Sequence, residues 1–201
     1  NSMRLAGQSC ISVQSVYIMR SVYDRFVSLV EAEVRKLKLG DPLDPDTDVG
    51  TLIDEDAAKR VEDWVKQAVI SGACALTGGK RHGAAFEPTV LTGVKPDMKV
   101  VCEEIFGPVI NLIPFDAIDE SFDAINASPY GLQAGIFTRS NEITFAAIRR
   151  MRVGGLIING TSTWRTDQLA YGGVRSSGIG REGPRYAIEE MTEQRLIVFN
   201  L

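Results

Sequence analysis

Apolar positions along the chain alternate between two rhythms, short near-continuous runs and a spacing of three to four residues, and each switch marks a new element. Val16–Met19 reads as a short strand. Val22, Phe26, Leu29, Val30, Val34 and Leu37 then fall at helical spacing, with Gly40 as the stop. DPLDPDTD, residues 41–48, mixes Pro with a run of Asp and reads as a solvated loop. Asp54 is placed to cap a second helix that runs through Val61, Trp64, Val65, Ala68 and Val69 to Gly72.

Further on, the pattern predicts strands at Ala75–Thr77, Thr89–Leu91 and Val109–Pro114, a helix at Asp119–Asn126, a strand at Gln133–Phe137 and a helix at Asn141–Met151. Gly155–Asn159 reads as a strand of the buried, continuously apolar kind. Pro184–Met191 is a short helix with Pro where a first turn tolerates it, and Arg195–Phe199 closes the chain as a strand. This alternation predicts an α/β layered domain with a mostly parallel sheet flanked by helices. The closing RLIVF has unpaired edges, so it either completes a sheet in a partner subunit or lies at the edge of its own.

Composition narrows the function classes. With 201 residues and 44% hydrophobic content, the chain is long enough to bury a core. Its 22 Lys plus Arg against 26 Asp plus Glu give a net charge of -4, which argues against a nucleic-acid backbone or an anionic membrane as partner. Cys10, Cys74 and Cys102 are odd in number and widely spaced, which suggests neither a disulfide framework nor a zinc site. No metal is expected. No apolar run approaches the ~18 residues that cross a bilayer, and a reducing, cytoplasmic setting is expected. The chain opens on Asn1 with candidate chemistry already present by Cys10, which reads as an internal start within a longer protein.

Three stretches carry candidate chemistry. AGQSC puts Cys10 behind small and polar neighbours that leave room for a substrate and for facing backbone N–H groups; a cysteine attacks carbonyl carbon as the thiolate and needs such access. A lone cysteine is more often a small buried hydrophobe, the reading kept for Cys74 and Cys102. CEEIFGP sets two carboxylates and an aromatic at one bend, where a carboxylate accepts hydrogen bonds from sugar hydroxyls and Phe106 packs on a flat ring. A surface loop with Ile105 and Phe106 turned into the core explains the same letters. YGGVRSSGIGREG has the bare G-x-G-x-x-G spacing at Gly178, Gly180 and Gly183 but lacks the preceding strand, so it reads as a loop shaping a tunnel or a subunit contact. His82, the single histidine, lies in a basic, glycine-rich loop that reads as surface.

Taken together and in this order, AGQSC, EEIFGP and YGGVRSSGIGREG resemble the aldehyde dehydrogenase superfamily, and the resemblance runs from Ala6 to Glu193. It implies that Cys10 is the nucleophile, forming a thiohemiacetal with an aldehyde, passing hydride to NAD or NADP, and leaving a thioester that water hydrolyses. The backbone N–H of Cys10 would serve the oxyanion. Glu104 would hold the nicotinamide ribose hydroxyls, and Phe106 would lie near the ring. The resemblance also implies that residues 1–193 are the family's catalytic domain and 194–201 an oligomerisation strand that makes a homo-oligomer. The general base, the oxyanion asparagine and the cofactor turn would lie upstream of Asn1, so these residues alone are expected to be nearly inactive.

Where the family's third motif usually reads Pro-Phe-Gly-Gly-x-Lys-x-Ser-Gly, this chain has Ala170, Tyr171 and Arg175. WRTDQ, residues 164–168, lies in the loop that lines the substrate tunnel and resembles the lactaldehyde and succinate-semialdehyde side of the superfamily. Arg165 could there bind a substrate carboxylate or phosphate by a two-pronged hydrogen bond, or else pair with Asp167 or lie on the surface. An acylating enzyme that hands the acyl group to coenzyme A, and a non-catalytic descendant of the fold, are the competing outcomes. Retention of both Cys10 and Glu104 argues against the second.

Overall fold

A computed structural model describes residues 1–201. In chain order the elements are β1 (Ser15–Met19), α1 (Arg20–Val34), α2 (Glu55–Ile70), β2 (Cys74–Thr77), β3 (Arg81–His82), β4 (Ala85–Phe86), β5 (Thr89–Thr92), α3 (Lys99–Cys102) and β6 (Val109–Phe115). They continue with α4 (Ile118–Ala127), β7 (Gln133–Ile136), α5 (Asn141–Arg150), β8 (Gly155–Ile158) and α6 (Pro184–Met191). The main sheet has the order β1-β6-β5-β2. β6 runs parallel to both β1 and β5, and only β2 is antiparallel. This is the mostly parallel, helix-flanked sheet that the alternating rhythm predicts.

The period-two alternation of a strand decides which helix each side chain meets. Leu91 and Val109 point to one face, where they pack with Val61, Val65 and Ala68 of α2 and with Phe86 and Val100. Val90, Ile110 and Leu112 point to the other, against Tyr23, Val27, Val30 and Val34 of α1. Val90, Leu91 and Leu112 are fully buried, each contributing about 1.5–3 kcal/mol. The predicted cap on α2 is present: the Asp54 carboxylate accepts a hydrogen bond from the Ala57 N–H at 2.8 Å, with Glu55 and Asp56 in the first turn.

The structure departs from the sequence pattern in four places. Along α1 the apolar residues split into two stripes: Val30 and Val34 pack inward, while Val22, Phe26 and Leu29 are exposed. The helix also ends at Val34, well before Gly40. GGKRHGAAF folds into the small hairpin β3–β4, whose Phe86 is fully buried. β8 is only half-buried, because its sheet consists of β7 and β8 alone, packed on Phe122 of α4, Ala147 of α5 and Met151 just beyond α5. Residues 195–199 form no strand: Leu196, Ile197, Val198 and Phe199 are exposed and pair with none of the chain's sheet edges. No helix is long and apolar enough to cross a membrane.

Candidate active site

β1 and β6 are neighbours with Ser15 opposite Asn111, so the segments entering them are brought side by side at the amino ends of the two strands. One segment carries Cys10 and the other Glu104 and Phe106. The two backbones touch at Gly7 and Gly107. Gly7 has φ +72°, and a Cβ built on it would lie 2.0 Å from the Gly107 carbonyl oxygen. Only glycine permits that approach. The glycines of AGQSC and EEIFGP therefore form the seam between the motifs.

A narrow cleft of about 40 Å³ opens beside that seam, lined by Cys10, Ser12, Gln14, Glu104 and Phe106 among others. Cys10 is exposed, and its backbone N–H makes no hydrogen bond within the chain. Ile105 turns into the core at 2% exposure, but Phe106, held at φ +47°, stays 38% exposed at the cleft. The pair is thus divided, where a simple surface loop would have buried both. A non-glycine residue in this left-handed region costs about 1–2 kcal/mol, and the cost here presents an aromatic ring to the cleft.

Two glutamines, Gln14, which pattern reading passed over, and Gln8 of AGQSC, anchor the Cys10 segment. The Gln14 amide donates to the Val100 and Glu103 carbonyls at 3.0 and 2.7 Å, and its oxygen accepts from the Ile105 N–H at 3.1 Å. Gln8 donates to the Thr51 carbonyl and accepts from the Ile53 N–H. Gln14, four positions after Cys10, therefore ties the Glu104 loop to the strand that follows the cysteine.

The segment between β8 and α6 packs against the Cys10 segment. Ser162 donates to the Ile11 carbonyl at 2.9 Å, and the Asn1 amide donates to Thr161 at 2.9 Å. The Tyr171 hydroxyl lies 2.8 Å from the Cys10 sulfur. Burial first, then the hydrogen bond and charge of Cys10, raise the Tyr171 phenol well above its ordinary value. Arg165 stacks on the Tyr171 ring at 4.1 Å from its centroid and pairs with Glu182 at 2.9 Å, not with Asp167. His82 is turned to Glu87 at 3.2 Å on the hairpin and does not line the cleft.

The fold matches that of known proteins. Residues 1–197 fit the sequence profile of the aldehyde dehydrogenase family. The chain belongs to that family. It is 50% identical over 200 residues to the 3-sulfolactaldehyde dehydrogenase of Priestia megaterium, covering 100% of this chain and 42% of that relative. It superposes with a TM-score of 0.91 at 45% identity on aldehyde dehydrogenase 21 of Physcomitrella patens, solved with its reaction product succinate, covering 94% of this chain and 39% of that one. A glyceraldehyde-3-phosphate dehydrogenase of Methanocaldococcus jannaschii complexed with NADP superposes at 0.90 and 40% identity, covering 93% and 41%. The chain thus spans less than half the length of these family members.

Proposed function

We propose that the protein oxidises a small anionic aldehyde to its carboxylic acid, with Cys10 as the covalent nucleophile and NAD or NADP as hydride acceptor. The observation that supports this reading is the shared cleft, with the Cys10 sulfur on one wall and Glu104 and Phe106 on the facing one. The residues fit the cofactor: an exposed carboxylate accepts hydrogen bonds from ribose hydroxyls, and an exposed aromatic face meets a flat ring. Glu104 and Phe106 would hold NAD or NADP, which would supply the acceptor for the aldehyde hydride.

The chain's own part begins with the Cys10 thiolate. Its sulfur forms a bond to the carbonyl carbon while the carbonyl electron pair moves to oxygen, where the unpaired N–H of Cys10 meets it. After oxidation the carbon remains on sulfur as a thioester. Water cleaves that bond, releasing the acid and returning the thiol.

Arg165 carries the anion specificity in this reading. The relatives named above act on a sulfonated aldehyde or hold a dicarboxylate product, and a guanidinium beside Tyr171 suits an acid group at that end of the substrate. Two tests follow, both in the intact protein with NAD(P)H absorbance as readout. Cys10→Ser abolishes turnover, and retained activity would refute the nucleophile. Arg165→Ala raises KM for 3-sulfolactaldehyde or succinate semialdehyde roughly ten- to hundredfold, the worth of a hydrogen bond to a charged group, with little change for a neutral aldehyde. Equal losses on both remove the anion assignment.

The reading extends to assembly and location. The exposed Leu196, Ile197, Val198 and Phe199 suit a strand added to the sheet of a second copy, as residues 194–201 of a homo-oligomer. Deleting residues from Gln194 onward lowers the molecular mass seen by light scattering, whereas an unchanged mass refutes it. Three unpaired thiols suit a reducing, cytoplasmic compartment.

A further inference from the structure

We infer that Tyr171 is a positioning residue for the nucleophile, its hydroxyl donating a hydrogen bond to the Cys10 sulfur and its ring face held by Arg165. This deepens the proposed function and rests on Cys10 being the nucleophile.

The donor is rigid. Tyr171 is 7% exposed, and its backbone is clipped to Glu182 by paired hydrogen bonds of 3.1 and 2.6 Å. Its hydroxyl therefore meets the sulfur at 2.8 Å from a fixed direction. In the thiolate state the sulfur has no proton to give, so the hydroxyl is the donor. Burial and the sulfur itself raise the phenol above its ordinary value, and Tyr171 keeps its proton throughout the working range. The proton lost by Cys10 goes to solvent.

The charged groups facing this pair are few. Arg165 lies over the ring, Glu182 is paired with Arg165, and Glu104 stands on the opposite wall of the cleft. Arg165 pulls electron density from the phenol and makes it a stronger donor, while Glu182 offsets part of that effect. The hydrogen bond serves the reaction twice. It holds the anionic sulfur before attack, and it receives the thiolate again when water expels it from the thioester.

The test is the pH–rate profile for alkylation of Cys10 by iodoacetamide in the intact protein, followed by mass spectrometry of the Cys10 peptide, with Cys74 and Cys102 as internal references. Tyr171→Phe removes one oxygen and keeps the ring. Without the donor, ionised sulfur is less stabilised, so the midpoint moves to higher pH, by about one unit, and alkylation below it slows about tenfold. kcat falls by a similar factor while KM for NAD(P)+ is unchanged. Arg165→Met moves the midpoint the same way by less. A Tyr171→Phe midpoint equal to that of the unmodified protein overturns the inference; if that variant does not fold, an unmoved midpoint in Arg165→Met overturns it instead. The parent reading fails separately, when full alkylation of Cys10 leaves aldehyde oxidation intact.

Discussion

Alanine at position 7 tests the seam on which the cleft depends. The added Cβ would sit 2.0 Å from the Gly107 oxygen, 2.3 Å from its carbon and 2.9 Å from the Pro108 nitrogen, all backbone atoms with no rotamer to escape through. The two segments must therefore part by more than 1 Å to restore ordinary contact, which moves the Cys10 wall from the Glu104 wall. Two costs add. A non-glycine residue at φ +72° costs about 1–2 kcal/mol, and forcing apart a packed contact costs about 1–3 kcal/mol. Gly7→Ala is thus expected to cost about 2–5 kcal/mol, a large share of a typical stability of about 5–15 kcal/mol. Gly79→Ala is the control, because Gly79 has φ +92° and nothing within 4 Å of its would-be Cβ, so it carries the backbone cost alone. Urea unfolding compares the two, and cofactor titration follows the cleft. If Gly7→Ala loses no more stability than Gly79→Ala and binds NAD(P)+ unchanged, the close approach of the two motifs is not what holds the walls.

Two more predictions concern the supports of the site. Gln14→Glu keeps the acceptor for the Ile105 N–H but loses both donated hydrogen bonds, so stability falls by about 1–3 kcal/mol in urea unfolding and KM for NAD(P)+ rises severalfold through the loosened Glu104 loop. Glu62 joins α2 to the β3–β4 hairpin: its hydrogen bonds, first with Lys66 and then with Arg81, hold its carboxyl below the ordinary carboxylate value. The lowered value means that its contribution is full above the unfolded carboxylate range and is lost as pH falls through the folded one. Glu62→Gln should therefore flatten the acid limb of a plot of stability against pH while leaving its alkaline limb unchanged.

What pattern reading could and could not see has physical causes. α2 was legible because a single apolar stripe and the Asp54 cap agree on one helix. β5 and β6 were legible because burial on both faces leaves continuous apolar runs. α1 carries two stripes, and spacing alone cannot say which one faces the sheet. The β3–β4 hairpin has two-residue strands, too short for any rhythm, so the burial of Phe86 was invisible. Cys10, Glu104 and Phe106 stood out because each sits in a compact motif of unusual letters. Tyr171 was named only as a departure from the family form, since its contact with Cys10 spans 161 positions and leaves no local trace.

The cleft is lined from residues 7–14 and 104–109, and residues 161–171 pack against its Cys10 side through Ser162 and Tyr171. Such an assembly closes only when the whole chain has found its topology, because long-range loop closures precede the contacts that reward them. Under the proposed role of Cys10, a reactivity that sets it apart from Cys74 and Cys102 would be a signature of completed folding. In an unfolded chain the three cysteines would be chemical equals, and their divergence during renaturation would time the last step of assembly.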